Sequence, residues 1–479
     1  MISSEVESLA RTGGLGDVAN QLSRALADAG HDVLVVTPKY GSTTMPATTR
    51  RWDAAVRVTV GQAGTFDVGV VESRLGRARA LLLDVPSLFD RAGIYADAHG
   101  PFGDNELRFC VMSRAALAVA ERAWDLHASS GSSAHEDVVI HAHDWHAAPA
   151  ILYARAGASA FWSQVRTVFT IHNLAYQGDM PLERARQLGF AEAHFSSYIL
   201  EHVGKANMMK GATALVDRIT TVSHTYAREI LTDEFAFGLG LHLRAHAQNL
   251  VGIENGIDTA AADPRTDTSI TRTYGVDDAA AGKAANKHAL MAELALESDE
   301  DKPLFANISR LSWQKGIDLV LPHVPRMVDE GARFVFVGTG DPPLEAALRA
   351  LEKRYPRRVS ARIGFDPKLA QRVYAASDFM IVPSRFEPCG LVQMYAMRYG
   401  SIPVVTAVGG LKDTVHEDDT NGTGIVAPRP TEADVRAALD RALALTEHPE
   451  RVHAMRRRAM ERDSSWIVPA AAYARLYEP

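Results

Sequence analysis

One glutamate stands where a chain could do chemistry. It lies in S-R-F-E-P-C-G-L, after the apolar run Phe379, Met380, Ile381 and Val382 that Pro383 closes. That run predicts a strand buried on both faces, and residues 391–398 read as a helix. Glu387 therefore sits in the loop at the carboxyl end of a strand. Cys389 and Gly390 lead into the helix, whose free N–H groups and dipole favour an anion. Such a loop can hold a phosphate and offer a carboxylate to a neutral polar group at once. A Pro- and Gly-punctuated turn with a surface glutamate accounts for this loop alone equally well.

Histidines gather at other strand ends. A strand at 138–140 ends in His141-Ala142-His143-Asp144-Trp145-His146. Three His and one Asp in six residues suggest a metal site. Alternation along a strand, however, aims His141 and His143 one way and Asp144 another, and no second ligand cluster lies nearby in sequence. Hydrogen bonding is the favoured reading, with no metal. A strand at 167–171 ends in His172-Asn173, followed by Tyr176, Gln177 and Gly178; one at 218–222 ends at Ser223; one at 250–253 precedes Asn255-Gly256-Ile257-Asp258. Open α/β sheets bind ligands where polar groups collect at strand carboxyl ends.

The elements that must position these groups alternate strand and helix. R-T-G-G-L-G-D, from Arg11 to Asp17, opens a helix with Val18, Leu22, Ala25, Leu26 and Ala29 on one face, and Gly30 ends it before a strand at 33–36. Only residues 1–4 are left for the strand that should precede this loop, short against a mean of about 5–6. The first strand reads as clipped, or as continuing from a longer product. Strands at 56–60, 66–71 and 80–85, a helix at 107–122 and a Ser- and Gly-rich loop at 128–135 follow. Residues 263–302 read as a polar boundary with one helix at 286–296. A second series has Ser309, Arg310 and Lys315 after a strand at 304–308, Gly338-Thr339-Gly340-Asp341 after 334–337, Gly364-Phe365 after 359–363, and Gly409-Gly410 after 404–406. Two doubly wound halves, 1–258 and 259–450, predict an α/β protein with a ligand cleft between them, and a helical segment at 451–479 that packs back on the first half.

At 479 residues the chain exceeds one ordinary core. Basic residues number 51 against 58 acidic, a net charge of -7 with no basic block, so nucleic acid is not an expected partner. No apolar run approaches the roughly 18 residues a membrane span needs, and no basic segment leads into an apolar one at the start; a cytoplasmic protein without a membrane partner is expected. Cys110 and Cys389 are the two cysteines, which indicates neither a disulfide framework nor a cysteine metal site.

Taken together, R-T-G-G-L-G-D, H-A-H-D-W-H, T-I-H-N-L-A-Y-Q-G, N-G-I-D, S-R-L-S-W-Q-K-G, G-T-G-D, S-R-F-E-P-C-G-L, G-G-L-K-D-T-V and D-S-S-W resemble the bacterial glycogen synthase and plant starch synthase family, in order and along the whole chain. The resemblance implies a GT-B fold of two Rossmann-like domains facing each other across a cleft. It implies transfer of glucose from ADP-glucose to the non-reducing end of an α-1,4-glucan, with retention and with no cofactor or metal. Arg310 and Lys315 resemble the family's diphosphate-binding cations, and the N–H groups of Leu391, Val392 and Gly14 would add donors. Glu387 resembles the carboxylate expected at the glucose 3- and 4-hydroxyls; Tyr395, eight residues on, replaces the second Glu of the broader pattern. His172 resembles the 6-hydroxyl contact, Asp144 a carboxylate on the acceptor side, and Phe365 the aromatic that stacks on the base. Glu5, Arg11, Gly13, Asp17, Asn173, Asn255, Ser309, Gln314, Gly338, Cys389 and Gly390 complete the expected substrate-binding set.

Departures from the family pattern bear on that expectation. Arg11 stands where the family usually has Lys, keeping the charge on a bulkier planar group. The short first strand leaves Glu5 poorly anchored. Ala262 replaces a common Trp, and Val392 a frequent hydroxyl residue, so only its backbone N–H is available. The rival readings are a UDP-glucose-dependent GT-B enzyme, a catalytically silent glucan-binding paralogue, and a metallohydrolase built on residues 141–146. Oligomeric state is not legible in the sequence.

Overall fold

Apolar runs of four to six residues make parallel strands buried on both faces, and the order of those strands decides where the polar loops meet. A computed structural model describes the chain apart from residues 98, 129–137, 157–160, 163–164, 298–301, 365 and 479. Phe365 and most of the loop expected at 128–135 thus lie outside the described residues. The chain divides into one unit of residues 1–222, 227–256 and 466–479, and a second of 223–226 and 257–465. Among the described residues no helix is long and apolar enough to cross a membrane.

In the first unit, Leu34–Pro38 pairs in parallel with Ala78–Asp84, and Val139–His143, Arg166–Ile171, Arg218–Thr221 and Leu250–Gly252 form a parallel run. Ile2 joins the two sets, bridging Val36 on one side and Ala142 on the other. Its N–H donates to the His141 carbonyl at 2.8 Å, and the His143 N–H donates to the Ile2 carbonyl at 3.1 Å. The few residues ahead of the glycine loop therefore do fill the strand position the sequence left in doubt, because one residue with both edges paired suffices to close the sheet. Counted by chain position among these strands, Ile2 is the first, and the order reads third, second, first, fourth, fifth, sixth, seventh, the doubly wound arrangement. Its switch point falls between Ile2 and Val139–His143. Helix Gly14–Asp28 buries Val18, Leu22 and Leu26 against this sheet, with Trp466 and Tyr473 in the same cluster.

The second unit repeats the pattern with one sheet of six parallel strands: Val359–Ile363, Arg333–Gly338, Leu304–Ile308, Phe379–Val382, Ile402–Thr406 and Ile425–Ala427. The order is third, second, first, fourth, fifth, sixth, with the same reversal after the first strand. Phe305 stacks on Phe334 at 5.5 Å and on Phe379 at 4.9 Å, which fixes the neighbours at the switch point between Leu304–Ile308 and Phe379–Val382.

Two sequence expectations are corrected. The helix expected at 286–296 is Ala279–Glu293, and it is no polar linker: Lys283 is buried and donates from Nζ to the carbonyls of Tyr374, Ala375 and Tyr399 at 3.0–3.1 Å. Three acceptors around one amine require the ammonium form, even though burial pushes this lysine well below its usual range. Lys283 thus caps carbonyls at the ends of two other helices. The segment 451–479 is likewise not one piece. Pro449–Glu461 belongs to the second unit, where the buried Arg456 donates from Nε to the Gly400 carbonyl at 3.0 Å. Ile467–Tyr477 belongs to the first, where the Trp466 indole N–H donates to Gln21 Oε1 at 2.8 Å.

Candidate active site

Each switch point carries a group of the residues expected from sequence. In the first unit, Glu5 follows Ile2 and Asp144 follows His143, and both are buried. Glu5 is not poorly anchored. Its Oε1 accepts from the Tyr95 hydroxyl at 2.6 Å, and its Oε2 accepts from the N–H groups of Thr12 and Gly13, the latter at 2.9 Å. A carboxylate of the chain itself thus occupies the glycine loop's first amides, ahead of Gly14, the first residue of the helix. Arg11 is also committed, its Nη1 donating to Glu7 at 3.0 Å and to Asp17. Burial outweighs that cation and pushes the Asp17 carboxyl up.

Asp144 has a φ of 56°, left-handed for a residue other than glycine, and begins helix Asp144–Arg155. Its Oδ1 accepts from the N–H of His172 at 2.7 Å and of Asn173 at 3.4 Å, so it positions the loop after Arg166–Ile171. Burial raises its pKa to about 7 against the opposing pull of those two N–H groups, with Glu5 adding a like charge. His172 Nε2 lies 3.0 Å from His143 Nδ1. His141 is held by Tyr477 and Thr170, a hydrogen-bonding role. Among the described residues no group of three or more His, Cys, Asp and Glu could hold a metal ion. Asn255 is buried with Oδ1 lacking a partner among the described residues, and no hydrogen bond ties it to this group.

One pH effect follows from Asp144. Between about pH 4 and about 7 the folded chain keeps a proton there that the unfolded chain has released, so this group's contribution to stability falls as pH rises through that window. Asp144→Asn keeps an acceptor oxygen without the charge. It is expected to shallow the fall in urea midpoint across those pH values; a variant curve parallel to the parent's would place the titration elsewhere.

In the second unit, Lys315 and Glu387 meet although 72 residues apart. Lys315 Nζ donates to Glu387 Oε2 at 2.6 Å, and the Ser384 hydroxyl donates to the same oxygen at 2.8 Å. Neither of the two other ammonium hydrogens of Lys315 has a partner among the described residues. Gly316, with φ 65°, lets this loop rest on the strand end: a Cβ there would lie 2.0 Å from the Pro383 carbonyl oxygen. Gln314 secures the contact, its carbonyl accepting from the Arg385 N–H at 2.8 Å and its Nε2 donating to the Phe386 carbonyl at 3.2 Å. Gly410 donates its N–H to the Glu387 carbonyl at 3.0 Å, and Gln393 Nε2 donates to the carbonyls of Cys389 and Gly390 at 3.2 and 2.7 Å. Val392–Arg398 is the helix, with Leu391 as its N-cap. Gly338 and Ser309 touch backbone to backbone, a Cβ on the glycine lying 1.9 Å from the Ser309 carbonyl oxygen. Arg310 is exposed at the end of Leu304–Ile308 and has no hydrogen bond or ion pair among the described residues. The Tyr395 ring lies 5.9 Å from that of Tyr374, at the edge of the core.

A carboxylate fixed by a lysine and a serine, at the carboxyl end of a doubly wound sheet whose neighbouring strand ends in an exposed arginine, suits a ligand with both hydroxyls and negative charge. Comparison with known proteins agrees. Residues 1–245 match the family model described as starch synthase catalytic domain, and 294–461 match glycosyl transferases group 1. The glycogen synthase of Myxococcus xanthus is 42% identical over 99% of this chain and 98% of its own. The chain belongs to the starch synthase and glycogen synthase family. A second family member, the glycogen synthase of Paracidovorax citrulli, is 40% identical over 99% of this chain and 93% of its own. The catalytic domain of starch synthase IV from Arabidopsis thaliana, solved bound to ADP and acarbose, superposes with a TM-score of 0.89 at 32% identity, covering 99% of this chain and 97% of that one. The fold of this glycogen synthase family member is thus GT-B, with two Rossmann-like units, and its activity is that of a retaining glucosyltransferase of the glycogen synthase type.

The sequence missed Ser384, Gly316 and Tyr95, and it weighed His143 as a metal ligand rather than as the partner of His172. Ser384 and Gly316 stand inside the recognised motifs S-R-F-E-P-C-G-L and S-R-L-S-W-Q-K-G and could have been singled out there. Tyr95, 90 residues from Glu5, carries no such signal.

Proposed function

We propose that the chain transfers glucose from ADP-glucose to the non-reducing end of an α-1,4-glucan, in the cytoplasm and without a metal or other cofactor. The observation that carries this reading is the Lys315–Glu387 pair, with Arg310 exposed at the end of the neighbouring strand Leu304–Ile308. As ADP departs, negative charge grows on the diphosphate and positive charge on the anomeric carbon. Arg310 and the two remaining Lys315 donors stabilise the first, with the N–H groups of Leu391, Val392 and Gly14 as further donors. Glu387 accepts from the glucose 3- and 4-hydroxyls, its second oxygen held by Lys315 and Ser384. His172 contacts the 6-hydroxyl, and its neighbouring carbonyl supports the developing cation. Asp144 serves the acceptor side through the loop it positions. The motif offers one carboxylate, Glu387, with Tyr395 where the broader pattern has a second Glu, so departure and attack on the same face fit better than a covalent intermediate.

The test follows radiolabel from ADP-glucose and, in parallel, UDP-glucose into glycogen, each with and without a chelator. Incorporation from ADP-glucose that a chelator leaves intact is expected. Preference for UDP-glucose would replace the donor, and loss of incorporation on chelation would replace the metal-free mechanism.

A further inference from the structure

His143 and His172 are two imidazoles in contact, and the placing of one hydrogen decides what His172 can offer a ligand. With Nδ1 of His143 3.0 Å from Nε2 of His172, one nitrogen carries the hydrogen and the other accepts. Both rings are neutral, since burial holds His143 well below the usual histidine range and His172 at about 3. The second nitrogen of His143, Nε2, is buried with no hydrogen-bond partner among the described residues. The adjoining ring, His141, lies 4.1 Å away, and its own nitrogens are taken by the Tyr477 hydroxyl at 2.8 Å and Thr170 Oγ1 at 2.6 Å.

Two arrangements conserve the hydrogens. If His172 bears its hydrogen on Nε2, His143 must carry its own on Nε2, where it strands an N–H donor in the interior. If His143 bears its hydrogen on Nδ1, only a lone pair is stranded. A buried N–H without an acceptor is the rarer defect, because it forfeits the full hydration of the donor.

The geometry points to His143 as a positioning residue: its Nδ1–H donates to His172 Nε2 and fixes His172 as the Nδ1–H tautomer, so the free ring nitrogen meets the sugar as a donor. This rests on the reading of His172 as a glucose contact. It adds that the contact is polarised, with the protein donating and an oxygen on C6 of the sugar accepting.

The full chain labelled with histidine carrying 15N at δ1 only tests it directly. Magic-angle-spinning spectra of the parent and of His172→Gln isolate the His172 signal by difference. A shift of the protonated, pyrrole-like type is expected; one of the unprotonated, pyridine-like type overturns the inference. Kinetics supply the second arm, comparing ADP-glucose with ADP-6-deoxyglucose. His143→Phe is expected to lower kcat/KM about tenfold for ADP-glucose and leave the deoxy donor within about twofold, and His143→Asn, which retains a donor near Nδ1, to restore most of the loss. Equal losses with both donors, alongside a protonated Nδ1, uphold the tautomer and strike the glucose contact instead. Asn that fails to rescue a folded protein overturns the positioning role.

Discussion

Lys315→Ala is expected to lower kcat about 100- to 1,000-fold while the KM for the nucleotide sugar moves by less than about threefold. The reason is local. Lys315 Nζ bonds Glu387 Oε2 at 2.6 Å and keeps two donors for a leaving diphosphate, so its charge matters most when the phosphate's own charge has grown. Glu387→Ala is expected to cause a loss of the same order, because it removes the acceptor for the sugar hydroxyls and leaves the lysine unpaired. As the two side chains touch, the double variant should lose less than the product of the single losses. Steady-state kinetics with ADP-glucose check all three. Near-normal turnover in either single variant would take that residue out of the chemistry, and strictly multiplicative losses would mean that the pair does not act as one.

The second large effect concerns a residue with no side chain. At Gly316 the backbone is left-handed, and an added Cβ would sit 2.0 Å from the Pro383 carbonyl oxygen, a backbone atom that cannot swing aside. Gly316→Ala combines a conformational penalty of about 1–2 kcal/mol with an overpacking penalty of about 1–3 kcal/mol. For a unit of this size that corresponds to a fall in melting temperature of about 5–15 °C. Because the clash pries the Lys315 loop from the strand that leads to Glu387, kcat should fall as well. Gly103→Ala is the control, with nothing within 4 Å of its new Cβ, and is expected to stay within about 0.5 kcal/mol of the parent. A Gly316→Ala protein that melts with the parent would refute the close approach.

What the sequence makes legible is what periodicity and punctuation encode. Phe379–Val382 and Leu304–Ile308 stand where their apolar runs predict, because a strand covered on both faces has no other way to be written. The strand-end positions of Glu387, Asp144 and His172 follow from the same runs. Partnership between loops is another matter. Nothing local pairs Lys315 with Glu387, Tyr95 with Glu5 or His143 with His172, since strand order, which no single run encodes, brings them together. Ile2 was misjudged because strand length was weighed and edge pairing was not. Helix Ala279–Glu293 was misread because its lysines bury their charge on carbonyls, which composition reports as solvated surface.

The division of the terminal helices bears on synthesis at the ribosome. The first unit takes its sheet from residues emerging before 257, yet Trp466, Ala470 and Tyr473 belong to its apolar cluster, and Tyr477 supplies the hydroxyl bonded to His141. The nascent amino-terminal unit therefore waits, its cluster incomplete, while some two hundred residues of the other unit are translated and become free to fold. A helix made after the second unit seals a sheet made before it.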